Sequence, residues 1–285
     1  MALNLLSPFQ IQNQVNFERF HGEKCIWMPY TDYGLNATFK GLFSDVTIEQ
    51  IDLLKKLIPH PSTTSCICAG GTNLKDELIR SGDYIITDSS IRYTAGKKIA
   101  YWLNDYGGWT VKILRKRKDG YYLEPTEQDS NLQFAHKITK YDKPLGMVSW
   151  ILYREYNSKI TNFNQGFFPE SKDEKEGLQK LLNPRPSSTF CTKSGGDSMY
   201  DERIRNGDTL IIDKSLEYKD KKKIVYWLND YNGYTVKILR FREDGAYLVP
   251  ANTALYNNYE YKIQEYDKPW GMVTWNLHNE YDNTK

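Results

Sequence analysis

The apolar positions along this chain fall into a short helical stretch followed by strand-length runs, and the whole sequence of runs occurs twice. The predicted helices cover residues 48–57 and 175–182, each ended by a proline, Pro59 and Pro184. Apolar runs bounded by polar residues follow, such as "GDTLIID" and "KKIVYWL". "LNDYNGYTVKIL" reads as two strands joined at Asn232-Gly233, and "FREDGAYLVP" as a further hairpin at Asp244-Gly245. "PWGMVTWNLHNEY" supplies a closing strand. Each half is therefore expected to be a small, strongly curved, mainly β, antiparallel domain preceded by a short helix.

The halves are related by an offset of 125 residues. "KKIAYWLNDYGGWTVKIL" from Lys97 and "KKIVYWLNDYNGYTVKIL" from Lys222 differ only at Ala100/Val225, Gly107/Asn232 and Trp109/Tyr234. "YDKPLGMVSW" from Tyr141 repeats as "YDKPWGMVTW" from Tyr266. A period this long marks whole domains. The expected layout is a segment 1–38 outside the repeat and without a helix-turn-helix pattern, a first copy at 39–157, a linker at 158–163 and a second copy at 164–285. Trp102, Trp150, Trp227 and Trp275 recur at matched positions, as packing residues would.

Composition narrows the classes. Hydrophobic residues make up 40% of 285, enough for a core in each half, and 22 tyrosines favour strands. The net charge of +2, with both signs interspersed, gives no electrostatic case for nucleic acid. The basic run 115–118 reads as a solvated hairpin end. Cys25, Cys66, Cys68 and Cys191 form no C-x-x-C pair and the histidines are scattered, so neither a metal nor another cofactor is expected. The cysteines fit core thiols of a reducing, cytoplasmic compartment. No membrane span and no signal peptide are expected from the apolar runs. The acidic run 173–176 suits a helix N-terminus.

The candidate chemistry lies in "SGGDSMYDERIRNGDTLIID", residues 194–213, whose first-copy counterpart reads "AGGTNLKDELIRSGDYIITD". Two glycines let the backbone approach another group closely. Backbone N–H groups at Asp197 and Ser198 could converge as an oxyanion hole requires. Ser198 needs a base, and Lys237, between Val236 and Ile238, is the candidate. A lysine in apolar surroundings loses solvation and yields a neutral amine. The bland readings stand beside these: Gly-Gly-Asp-Ser as a plain turn, and Lys237 as the solvent face of an alternating strand.

The Gly196-Asp197-Ser198-Met199 box, the Gly207-Asp208 strand ending at Asp213, and Thr235-Val236-Lys237 together resemble the LexA/UmuD superfamily of self-cleaving Ser–Lys peptidases. The resemblance covers the second copy and is closest to the UmuD-like branch. It implies two tandem LexA/UmuD-type β domains, with Ser198 as nucleophile and Lys237 as general base. It also implies self-cleavage within an SOS DNA-damage response and translesion synthesis. The implied partners are a recombinase filament and the catalytic subunit of a translesion polymerase, with no sequence-specific DNA binding.

Two departures matter. The family cuts between a small residue and glycine, but the corresponding bond here is Gln165–Gly166. The first copy retains Lys112 but has Asn73 and Leu74 for Ser198 and Met199, and an amide cannot serve as the nucleophile. The first copy is thus expected to be a degenerate site that survives as scaffold. Fusion would then make an intrachain pseudo-dimer out of what the family builds from two chains. A non-catalytic interaction module, and a phage or mobile-element regulator, are the alternative functions.

Overall fold

A computed structural model describes residues 27–35, 49–69, 78–80, 82–125, 135–156, 177–256 and 259–281. The first half contains β1 (Trp27–Leu35), β2 (Glu49–Asp52), α1 (Leu53–Leu57), β3 (Thr64–Cys68), β4 (Tyr84–Asp88), β5 (Lys98–Leu103), β6 (Gly108–Arg117), β7 (Gly120–Glu124), β8 (His136–Lys137) and β9 (Lys143–Arg154). The second contains α2 (Gly177–Leu182), β10 (Thr189–Ser194), β11 (Thr209–Asp213), β12 (Lys223–Leu228), β13 (Gly233–Arg242), β14 (Gly245–Val249), α3 (Thr253–Tyr256), β15 (Tyr261–Lys262) and β16 (Lys268–Asn279).

The mainly β expectation holds, and the hairpins lie where their turn residues predict. Asn232 and its counterpart Gly107 both adopt left-handed backbone, with φ of +48° and +60°. Asparagine and glycine are the residues that tolerate this conformation most readily. The matched tryptophans pack as expected: Trp102 meets Trp109 edge-on, and Trp227 meets Tyr234 likewise. The basic run ends a hairpin, with Arg117 opposite Gly120 in the β6–β7 ladder.

One expected helix is shorter than its pattern. Of the stretch 48–57, residues Glu49–Asp52 form a strand and the helix begins at Leu53. The strand forms because β1 pairs with it antiparallel, from Trp27 opposite Asp52 to Tyr30 opposite Glu49. Asp52 then caps the helix, its carboxylate accepting from Lys55 N at 3.0 Å. β1 itself lies within residues 1–38, the segment expected from the sequence to stand outside the repeat. It pairs parallel with β10, with Tyr30 opposite Cys191. The acidic run 173–176 lies outside the described residues.

The two halves share one 16-stranded sheet. Its central join is the antiparallel pair of closing strands, β9 and β16. Leu152 faces Leu277, its own counterpart, while Trp150 faces Asn279 and Arg154 faces Trp275. The register is therefore self-complementary about a local two-fold axis at the leucine pair. Flanking bonds obey the same symmetry: Glu155 N donates to Thr274 O and Glu280 N to Ser149 O, both at 2.9 Å. So do the ion pairs Lys98–Glu280 and Lys223–Glu155, both 2.5 Å.

The core under this join is built from matched pairs as well. Leu53 and Leu178, Leu57 and Leu182, Cys66 and Cys191, Ile86 and Ile211, Trp150 and Trp275, and Leu152 and Leu277 belong to one buried cluster. Each fully buried leucine is worth about 2 kcal/mol, so apolar burial outweighs any one ion pair here. Separate cores lie within each half, around Ile85 and Val148 in the first and Ile212 and Val273 in the second.

Candidate active site

The Gly-Asp-Ser-Met box leaves β10 and turns sharply, with Gly196 at φ +73°. Met199 anchors the turn. It is 2% exposed and packs among Phe190, Ile204, Leu210 and Val236. A short 3-10 turn, Tyr200–Glu202, follows. The segment after β14 braces the same backbone from the other side. Ala251 N and Asn252 N donate to Ser198 O at 2.8 and 3.0 Å, and Asn252 Nδ2 donates to Asp197 O at 3.1 Å. Ser198 is thereby held at 5% exposure.

β13 brings Lys237 to it. Lys237 Nζ lies 2.8 Å from Ser198 Oγ, 2.9 Å from Thr235 Oγ1 and 3.1 Å from Val236 O. None of these partners is a carboxylate, so nothing charged stabilises the ammonium. The residue as a whole is half-buried, but its amino group is desolvated, and this lowers the pKa from 10.5 to about 8. About a tenth of the molecules then carry a neutral amine at pH 7. The three oxygens also orient that amine. A carbonyl can only accept, and with Thr235 Oγ1 it takes up the two remaining N–H groups. The nitrogen lone pair is left facing the Ser198 hydroxyl.

Among the described residues, the N–H groups of Asp197 and Ser198 have no hydrogen-bond acceptor. They are free to donate to an oxygen brought to the serine. The plain-turn and solvent-face readings of these residues are thus weaker than the paired one. Asn252 carries no signal in the sequence pattern, because its partner is backbone 55 residues away.

The expected residues of the first copy are only partly in view. Asn73, and the bond Gln165–Gly166, lie outside the described residues. Lys112 occupies the matching place on β6, opposite Ile99 as Lys237 is opposite Ile224. No hydrogen-bond or ion-pair partner of Lys112 occurs among the described residues. No cluster of metal-ligating side chains occurs among them either, and no helix is long and apolar enough to cross a membrane.

A family model described as Peptidase S24-like matches the chain twice, over residues 31–143 and 158–274. Two relatives, each called Protein MucA, come from Salmonella typhimurium and Escherichia coli. Each is 35% identical over 100 residues, 35% of this chain. The match spans 66% of the length of each relative, just under two thirds.

Proposed function

The chain belongs to the Peptidase S24-like family, within the LexA/UmuD superfamily, and on that premise we propose that it is a UmuD-like Ser–Lys autopeptidase of the SOS response. In this reading Ser198 is the nucleophile and Lys237 the general base. The first copy, with Asn73 beside Lys112, is a fixed scaffold, and the two copies form a pseudo-dimer within one chain. Supporting the last point are the self-complementary β9–β16 register and the paired core around Leu152 and Leu277.

The observation that carries the catalytic reading is the 2.8 Å separation of Lys237 Nζ and Ser198 Oγ around an amine whose pKa is about 8. The neutral amine takes the hydroxyl proton as Oγ bonds to the carbonyl carbon of the scissile peptide. Negative charge moves to the carbonyl oxygen, where the Asp197 and Ser198 N–H groups can receive it. The tetrahedral adduct collapses, the C–N bond breaks, and Lys237 returns its proton to the leaving amine. Water then attacks the acyl ester with the same lysine as base, releasing the acid and restoring Ser198.

The substrate class is a peptide bond of the chain itself, at Gln165–Gly166. A recombinase filament promotes the cut and a translesion polymerase receives the product, in the cytoplasm. Incubation of pure protein at about pH 10 neutralises the lysine. Intact mass should then reveal a fragment ending at Gln165, absent from Ser198→Ala. An uncut chain, with or without recombinase on single-stranded DNA, overturns self-cleavage. Gln165, bulkier than the family's small residue, favours the second reading in that event: a binding module for the polymerase or recombinase.

A further inference from the structure

We infer that the first half is part of the working apparatus of the second: through Arg203 it holds the turn that presents Ser198, so the site is complete only when the halves are paired. The inference rests on the Ser–Lys reading and deepens it.

Arg203 lies five residues after the serine and closes the same turn. Arg203 N donates to Tyr200 O at 2.9 Å, and Glu202 N donates to Met199 O at 3.0 Å. Its carbonyl accepts from Asn276 Nδ2 at 2.7 Å. The residue is left-handed, with φ +70°. A non-glycine residue holds that conformation, at a cost of about 1–3 kcal/mol, only where its surroundings enforce it. Its side chain leaves the second half altogether. Nη1 donates to Asp83 Oδ2 at 2.6 Å and to Leu78 O at 3.3 Å, and Nη2 to Glu155 Oε1 at 3.2 Å. The guanidinium lies over the Tyr153 ring, 4.6 Å from its centroid. All four partners belong to the first half.

The charge on Arg203 is 2% exposed, so it depends on those carboxylates. Lys223 adds a second tie: its amine donates to Glu202 O at 2.6 Å and pairs with the same Glu155. Remove the first half's carboxylates and the guanidinium must seek water, drawing residues 199–203 with it. The brace runs in one direction. Leu78 stands where Arg203 would be in the first copy, although it too is left-handed, at φ +58°. On that side of the two-fold axis the Lys98–Glu280 pair persists, and beside Glu280 stand His278 and Arg205 of the second half itself, not an arginine reaching across from the first. At this turn position an arginine that crosses to the other half is present only in the copy that carries a serine, which a role in joining the halves alone does not explain.

The test treats the full chain with a fluorophosphonate between about pH 6 and 10, reads serine modification by intact mass, and follows amide exchange over residues 197–204. Wild type should be modified at Ser198, faster as Lys237 loses its proton. Arg203→Leu should react at least tenfold more slowly, since small displacements of reacting groups carry large penalties. Its pH midpoint should rise, because a loosened turn admits water to Lys237. Exchange over 197–204 should quicken while β12 and β16 stay protected. Arg203→Lys, which keeps the charge but not the planar two-pronged donor set, should restore part of the rate. Lys98→Ala should react like wild type. Wild-type reactivity and protection in Arg203→Leu, or an equal loss in Lys98→Ala, overturns the inference. If wild type itself is not modified, the Ser–Lys reading fails on its own. Exchange at the turn then decides the brace: quickened in Arg203→Leu sustains it, unchanged overturns it.

Discussion

At the scale of the residue, the proposed chemistry and a stability slope both turn on Lys237. Its amine is desolvated with no carboxylate in reach, so its pKa falls from 10.5 to about 8. Serine reactivity should rise with pH to a plateau above about pH 8 and be lost in Lys237→Ala, measured by fluorophosphonate labelling. The same group sets a stability slope. Between about pH 8 and 10.5 the unfolded chain holds a proton on this lysine that the folded chain lacks. Stability therefore rises with pH across that window, and below it the folded state carries the full penalty. Lys237→Met should remove the slope and stabilise the protein at pH 7 by on the order of 3 kcal/mol, read by denaturant titration at several pH values. The candidate pair was legible because serine and lysine sit in recognisable local strings. Thr235 Oγ1 and Val236 O, which orient the amine, are its own sequence neighbours. Asn252 and Arg203 were not legible, since their partners are far along the chain and include backbone atoms.

At the scale of the element, the closing strands β9 and β16 each depend on one glycine. Gly146 and Gly271 have φ of +149° and +148° and sit where the ladder to β5 and β12 shifts register. A Cβ at Gly146 would lie 2.7 Å from Asp88 C, and one at Gly271 would lie 2.8 Å from Asp213 O. Backbone cannot yield as a flexible side chain can. Gly271→Ala and Gly146→Ala should each cost about 2–3 kcal/mol, in thermal or urea unfolding, by overpacking and strain together. The bulges let these strands pair on both edges while bending around the core. The shortened helix at Leu53–Leu57 belongs to this scale too. Residues 49–52 read as helical from their own pattern, yet β1 offered them a ladder, and pairing outweighed a weak local preference.

At the scale of the whole molecule, two copies of one unit meet through matched residues. Leu152 and Leu277 are both fully buried and face each other across the axis. Leu152→Ala and Leu277→Ala should each destabilise by about 2–5 kcal/mol, and by similar amounts, because each leaves a cavity in the same shared core. Calorimetry should find one cooperative transition in the wild-type chain, since no layer of solvent divides the halves at this join. Two well-separated transitions would contradict a common core. The charged shell around the axis is less symmetric than its apolar centre. Arg203 against Leu78, and His278 against Tyr153, make the two flanks chemically distinct.

The sequence by itself determined the β class, the hairpins, the doubled layout and the serine and lysine of the second copy. These are set by side-chain periodicity, by turn residues suited to left-handed backbone, and by local strings repeated at a constant offset. Only the tertiary structure decided that the copies share one sheet and one core, that Glu49–Asp52 is a strand, and that Arg203 reaches across to Asp83 and Glu155. Those outcomes depend on which distant groups come within a few ångströms and how much water they exclude. Neither quantity is written in any short stretch of the chain.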